Sequence, residues 1–381
     1  MQTKMHLDDD ATVIQRLLDH IDRKTTDLAE SSWREPVVNY RSPERFAAER
    51  EILRRFPIPF CPSAALAEPG NFVARDAAGT PILAVRGMDG TVRAFRNACR
   101  HRGTELANGA GCAKSFVCRY HGWTYALDGS LRHVPHEYGF PGLDKSERGL
   151  VPLETAELAG LVFVTQDGSA AVDAGLGDLP PLIPPDYRLV GCNELDTPVN
   201  WKIFVEGFLE GYHIRSTHPE TFYPVQFDNL NVVESFGRNN RLAFPFRAIH
   251  KARSEPPAER SPDGKLTFVY HLFPNAMVAT FPGRIIMVVL EPTATDVTRG
   301  INYALTNRDP ANTEAQSTLE RGGALIAAGA LEDQAMACAI QRSLASGANE
   351  FFEFGRFEGA IGHFHRELHA AIDGLGRERR G

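Results

Sequence analysis

The stretch Cys99-Arg100-His101-Arg102-Gly103, followed further on by Cys118-Arg119-Tyr120-His121-Gly122-Trp123, decides how this chain is read. One loop is C-x-H, the other C-x-x-H, and sixteen residues separate His101 from Cys118. Each loop supplies one thiolate and one imidazole. A 2Fe-2S cluster with two Cys on one iron and two His on the other needs that mixed set. Its neutral imidazoles raise the reduction potential to roughly −150 to +300 mV, against about −400 mV for an all-Cys ferredoxin. A structural zinc site also uses Cys and His, but zinc fingers usually pair Cys with Cys in one loop and His with His in the other. Gly103 and Gly122 follow the two loop histidines, where a missing Cβ lets backbone approach a cluster closely.

The rest of the composition narrows the class. The 381 residues are 43% hydrophobic and 23% charged, as in a globular protein, and suggest two or three domains. A net charge of −7 gives no basic footprint for nucleic acid. No apolar run is expected to reach the length of a membrane span, and Met1 to Asp10 lacks the apolar core of a secretory signal, so a cytoplasmic protein without a membrane partner is expected. Cys61, Cys112, Cys192 and Cys338 are then expected to be reduced, part-buried thiols.

Periodicity predicts a helix over residues 8–32 and another over 42–55, with Pro43 in its first turn, before Pro57, Pro59 and Pro62 end helical structure. From Asn71 short strands alternate with the turns Asp76–Gly79 and Asp89–Gly90, both ligand loops lie in this region, and Leu161–Val164 closes it. Asp167 to Pro185 reads as a Gly/Pro-rich connection. Beyond it a helix through about Tyr212, strands near 242–249, 266–272, 276–281, 284–290 and 298–305, and helices over roughly 312–345 and 357–374 are predicted. The expected division is an N-terminal helical segment 1–55, a cluster domain 56–166 and a catalytic domain 167–381.

A second motif lies at the start of that last region. In Asn200-Trp201-Lys202 through His213 to His218-Pro219, the residues Glu206, Glu210 and His213 are spaced for one helical face. His218 is five positions past His213, about 140° round a continuous helix. Pro219 pushes His218 out of the α region, so a break after His213 is expected to swing His218 back. Taken alone, the pair reads more readily as two partly buried, hydrogen-bonded histidines than as metal ligands.

Taken together, the cluster loops and this string resemble the Rieske non-haem iron oxygenases, the aromatic ring-hydroxylating dioxygenase alpha-subunit family. The resemblance implies an α+β fold: a Rieske-type small β domain and a helix-grip (START/Bet v1-like) catalytic domain with a curved antiparallel sheet. It implies that Cys99, His101, Cys118 and His121 bind the cluster. It also implies that His213, His218 and Asp333 hold one mononuclear Fe(II), Asp333 being the acid of Glu332-Asp333 with Gln341 eight residues on; Glu332 is the alternative. Glu210 is then the residue linking His121 to His213. The implied role is that of a terminal oxygenase, inserting oxygen from O2 into a small aromatic or amine substrate. Its electrons come from NAD(P)H through a separate reductase, with or without a ferredoxin, in a homotrimer. The alternative is a Rieske electron carrier without the second iron. Two departures stand out: Gly207 replaces the family's usual Asn, and Glu210 stands where many ring dioxygenases have Asp, as in the carnitine-type monooxygenases. Phe204, Phe208, Ile214, Phe222, Asn275, Met277, Met287 and Val289 are pocket candidates, although core is the better reading for any single one. His133 and His136 read as surface loop histidines.

Overall fold

The computed structural model describes residues 7–168, 181–309 and 311–378; residues 169–180 of the predicted connection lie outside these. The chain divides into two compact units, Leu53–Leu189 and Met1–Ile52 with Val190–Gly381. Helix α1 (Asp10–Arg23) starts where the Asp9 side chain accepts the Thr12 N–H at 2.8 Å, and it buries Val13, Ile14, Leu17 and Leu18. It stops well short of residue 32. Lys24 turns left-handed at φ 53°, and its N–H closes on the His20 and Ile21 carbonyls. Strand β1 (Trp33–Pro36) and helix α2 (Pro43–Arg55) follow.

The first-named unit is an antiparallel β structure. Its strands are β2 (Ile58–Pro62), β3 (Asn71–Ala77), β4 (Thr80–Arg86), β5 (Val92–Arg96), β6 (Gly109–Cys112), β7 (Phe116–Val117), β8 (Thr124–Tyr125), β9 (Leu131–His133), β10 (Pro152–Leu158) and β11 (Leu161–Thr165). Seven form one sheet in the order β2-β11-β10-β5-β4-β3-β6, and β7-β8-β9 form a second. The hairpin between β3 and β4 turns at Ala78 and Gly79, both at positive φ, as a two-residue turn that matches strand twist requires. Leu83, Val85, Phe95, Phe116, Trp123 and Tyr125 pack with Cys99 and Cys118 into one core, in which both thiols are buried.

The second unit is built on a seven-stranded antiparallel sheet. Its elements are β12 (Arg188–Thr197), α3 (Trp201–Phe208), α4 (Ile214–Thr217), β13 (Val232–Phe236), β14 (Asn239–Pro245), β15 (Leu266–Leu272), β16 (Ala276–Phe281), β17 (Arg284–Ala294), β18 (Val297–Thr306), α5 (Thr313–Ser343), β19 (Phe351–Phe354) and α6 (Gly359–Glu378). The sheet order is β12-β18-β17-β16-β15-β14-β13, while β19 pairs with β1. The strand expected over 242–249 ends at Pro245, and residues 247–254 form a 3-10 helix.

Buried polar groups tie α3 to its neighbours. Lys202 and Glu49, both inaccessible, pair at 2.8 Å, and the Trp201 indole donates to Glu49 at 2.9 Å. The Tyr40 hydroxyl donates to Glu206 at 2.5 Å, and His365 Nε2 lies 2.9 Å from the same oxygen. Removing one member of such a network leaves the others unpaired in the core, which is costlier than the bond itself.

Leu319–Ser346 corrects one expectation. By length and composition this stretch contains a window apolar enough to cross a membrane. Its run of Ala and Gly lifts the average, and Glu332 and Asp333 interrupt it. The helix packs on α3 and α4 within this unit. The remaining cysteines also differ from expectation: Cys61 is buried and Cys338 half-buried, but Cys112 and Cys192 are exposed.

Candidate active site

The two cluster loops share one hydrogen-bond pattern. The Cys99 carbonyl accepts the Gly103 N–H at 2.8 Å, and the Cys118 carbonyl accepts the Gly122 N–H at 2.9 Å. The Cys99 N–H donates to Thr104 and the Cys118 N–H to Trp123, at 2.9 and 2.8 Å. Gly103 and Gly122 both hold positive φ, +81° and +75°, which an L side chain resists. Four ligand-type residues are thus presented from two matching turns. Cys99 and Cys118 are buried, His101 is half-buried and His121 exposed, an inner thiolate pair with outer imidazoles. The His101 and His121 rings lie 4.7 Å apart, and His101 stacks on Trp123 at 5.0 Å. Tyr125 places its hydroxyl 3.4 Å from the Cys99 sulfur while accepting the Arg100 N–H at 2.9 Å. Such a donor near a cluster sulfur is one of the levers on reduction potential. His133 and His136 are exposed, as expected.

In the second unit the helical reading needs correction. α3 ends at Phe208, where the Leu209 N–H closes on the Glu206 carbonyl at 3.0 Å. Gly207 and Gly211 flank that end, and glycine weakens a helix interior by about 1 kcal/mol. Glu206, Glu210 and His213 therefore do not share a face: Glu206 points into the Tyr40–His365 network, and Glu210 and His213 lie beyond the helix. The break comes before His213, not after it. The four-residue α4 then separates the two histidines, with His213 at its N-cap and His218 at its C-cap.

That turn brings His213, His218 and Asp333 together. One ligand-type atom from each lies within 4.8 Å of the others. His218 Nε2 is 2.9 Å and His213 Nε2 3.5 Å from Asp333 Oδ1. The opposite ring nitrogens are held from behind. Glu210 pairs with His213 Nδ1 and also accepts the N–H groups of Tyr212 and His213. Glu332 lies 2.7 Å from His218 Nδ1 and accepts the Thr221 hydroxyl at 2.6 Å. Glu332 thus stands behind the histidine, while Asp333 faces the shared point.

The electrostatics suit a cation there. Burial pulls the His213 imidazole down, but Glu210 and Asp333 leave it raised above its usual value; His218 is likewise raised by Asp333 and Glu332 against its burial. His218 is fully buried, and its Nε2, although near Asp333, has no hydrogen-bond partner among the described residues. An orphaned buried nitrogen aimed at a carboxylate and a second imidazole fits a metal ligand, and two imidazoles with one carboxylate suit a divalent transition metal. Apart from its chain neighbours and its own helix backbone, nothing lies within 4 Å of where a Cβ of Gly207 would sit, so the position of the family's Asn is open space.

A third group, Glu35, His365 and His369, also clusters. Arg45 Nη1 donates to His369 Nδ1 at 3.2 Å, which leaves His369 Nε2–H to donate to Glu35 at 3.0 Å. The nitrogen facing Glu35 carries a proton instead of a free lone pair. Burial raises the Glu35 carboxyl, but the His369 bond, the His365 charge and the Asn39 bond bring it down to about 2. The group is a hydrogen-bonded anchor.

Phe222 was only a pocket candidate by sequence, and the geometry gives it a place. Its ring lies 4.7 Å from the His218 ring and covers Gly329, one turn before Asp333 on α5. A Cβ at Gly329 would stand 2.3 Å from the Phe222 ring. Asn275, Met277, Met287 and Val289 are core. Gly329→Ala is expected to cost about 1–3 kcal/mol by overpacking, more than the ~1 kcal/mol that alanine gains in a helix. Thermal unfolding checks this, and Phe222→Leu in the same chain should restore most of the loss. An unchanged midpoint in the single variant would mean the ring has room to move.

A model of the Rieske [2Fe-2S] domain matches residues 56–144, and a model of the ring hydroxylating alpha subunit catalytic domain matches residues 185–374. This chain belongs to the Rieske ring-hydroxylating oxygenase alpha-subunit family. The carnitine monooxygenase oxygenase subunit of Acinetobacter pittii is 35% identical over 233 residues, 56% of this chain and 62% of that protein. The glycine betaine monooxygenase oxygenase subunit of Chromohalobacter salexigens is 34% identical over 192 residues, 49% of this chain and 43% of that one. The matches to these family members thus span less than two thirds of their length. A solved quaternary ammonium Rieske monooxygenase in complex with L-carnitine shares the fold at a TM-score of 0.75 and 23% identity, covering 97% of this chain and 99% of that one. Naphthalene 1,2-dioxygenase from Rhodococcus sp. bound to indole shares it at 0.76 and 19%, covering 95% and 98%. The presence of the family's catalytic domain disfavours the electron-carrier alternative.

Proposed function

We propose that this chain is the terminal oxygenase of a multicomponent system, working in the cytoplasm as a homotrimer. Residues 56–166 form its cluster domain and 167–381 its catalytic domain, with 1–55 belonging to the latter. Electrons pass from NAD(P)H through a separate reductase, with or without a ferredoxin. Cys99, His101, Cys118 and His121 hold the 2Fe-2S cluster; His213, His218 and Asp333 hold one mononuclear Fe(II). When loaded, these groups supply electron storage and reductive activation of dioxygen. The protein's own residues do the rest. Glu210 and Glu332 fix the tautomers of His213 and His218 by accepting hydrogen bonds from their Nδ1–H groups, which points both Nε2 atoms at the metal position. Glu210 also reaches His121 of a neighbouring copy, joining the two centres. The observation that carries this reading is the convergence of two Nε2 atoms and one carboxylate oxygen, with His218 Nε2 buried and unpartnered.

The substrate is a small organic molecule. The names of the relatives, with Glu210 at the bridging position, favour a quaternary ammonium compound over an aromatic hydrocarbon. The reading is tested by iron content and by oxygen uptake with a surrogate reductase. An oxygenase holds about three irons per chain and a carrier about two. Substrate-dependent uptake is expected from a panel of betaines and arenes. Two irons and no uptake would leave only an electron carrier.

A further inference from the structure

We infer that the cavity beside Phe222 receives the apolar body of the substrate and that Arg284 anchors an anionic end, so this chain takes a small organic carboxylate. The inference rests on the metal-site reading above and adds the substrate's polarity.

A cavity of about 190 Å³ lies beside the N-terminal half of α5, lined by Phe222, Phe246, Phe281, Leu325 and Ile326 among others. An apolar cavity of about 150 Å³ is enough to hold benzene. There is room for one ring or a short branched chain. Arg284, at the start of β17, is the charged residue in this lining. Its Nη2 donates to the Leu319 carbonyl at 2.8 Å, and its guanidinium packs over Gly323, 2.8 Å from where a Cβ would sit. Among the described residues no carboxylate pairs with it, and burial lowers its pKa. A guanidinium offers five N–H donors, and here one carbonyl is engaged. A half-buried cation against apolar walls carries an uncompensated desolvation cost, which a bidentate carboxylate relieves.

The order along α5 gives the orientation. Arg284 sits against Leu319 and Gly323, Phe222 covers Gly329, and Asp333 follows. Gly323 to Asp333 spans about 15 Å of helix rise. Arg284 and Phe222 both line the cavity, and the Phe222 ring, 4.7 Å from the His218 ring, is its link to the metal triad.

The test uses the holoprotein and two matched probes, phenylbutyrate and phenylbutanamide, with binding followed by calorimetry so that turnover is not needed. Arg284→Met is expected to weaken the acid by ~10–100-fold, the range for a charge-assisted hydrogen bond, and to leave the amide unchanged. Arg284→Lys should keep part of the acid's advantage. Thermal unfolding reports that each variant is folded. Equal binding of acid and amide to the parent, equal weakening of both in Arg284→Met, or no binding of either probe to the parent overturns the inference. Iron content is measured on the same samples. A parent with about two irons per chain refutes the metal-site reading, whereas about three irons with any of the overturning results refutes the carboxylate anchor alone.

Discussion

Replacing His213 by alanine is expected to strip the mononuclear iron and abolish turnover while the visible absorption of the Rieske cluster persists. The two ligand sets are separate: Cys99, His101, Cys118 and His121 stand on their own pair of turns, and the His213 ring, among the described residues, meets Glu210 and the Asp333–His218 point. Loss of an outer partner of a metal ligand costs ~10–100-fold, and loss of the ligand itself should exceed that. Metal analysis, absorption and oxygen uptake on one preparation decide the matter. A variant with the parent's iron and activity would remove His213 from the site. A variant that lost both metals together would mean the alanine had disturbed folding, in which case His213→Gln, which keeps the bulk, gives the cleaner comparison.

Glu210→Gln is the second large effect. The carboxylate holds His213 Nδ1 and two backbone N–H groups at once, so an amide keeps the shape and loses the charge that steadies the imidazole. Both metals should be retained and the reductase should still reduce the cluster. Transfer from cluster to iron in a single turnover should slow by ~10–100-fold. Transfer at the parent's rate would make Glu210 an ordinary loop carboxylate. Loss of the mononuclear iron would instead make it a direct ligand and put Asp333 in question.

The cluster loops were legible because their chemistry is local. Two five- or six-residue turns with a glycine at the required positive φ carry the whole arrangement. The helix spacing of Glu206, Glu210 and His213 misled because periodicity assumes the helix continues. Gly207, Gly211 and the pull of Glu206 toward Tyr40 and His365 end it early, and those partners are 166 and 159 residues away in sequence. The strand β12 was missed for a related reason: its side chains are almost all exposed, so it has no alternating pattern to read. The pair β1–β19 is only four residues a side and joins opposite ends of the chain. Phe222 and Arg284 have no local signature. An aromatic and an arginine acquire meaning from what packs against them, and Gly329, Gly323 and Leu319 come from a helix some forty to a hundred residues further on.

Glu332 and Asp333 are neighbours in the chain yet attend opposite nitrogens of the same imidazole. Successive helical residues point about 100° apart, so one turn of α5 can straddle a ring only if the two acids differ in reach. The longer chain bends round to Nδ1, and the shorter one stops at the open side. An Asp-Glu sequence would have the same charge, size and hydropathy, with each carboxylate at the wrong length. The information sits in the order of two letters. A chain that merely conserves acidity there would match this one in composition and still lack the grip on its histidine.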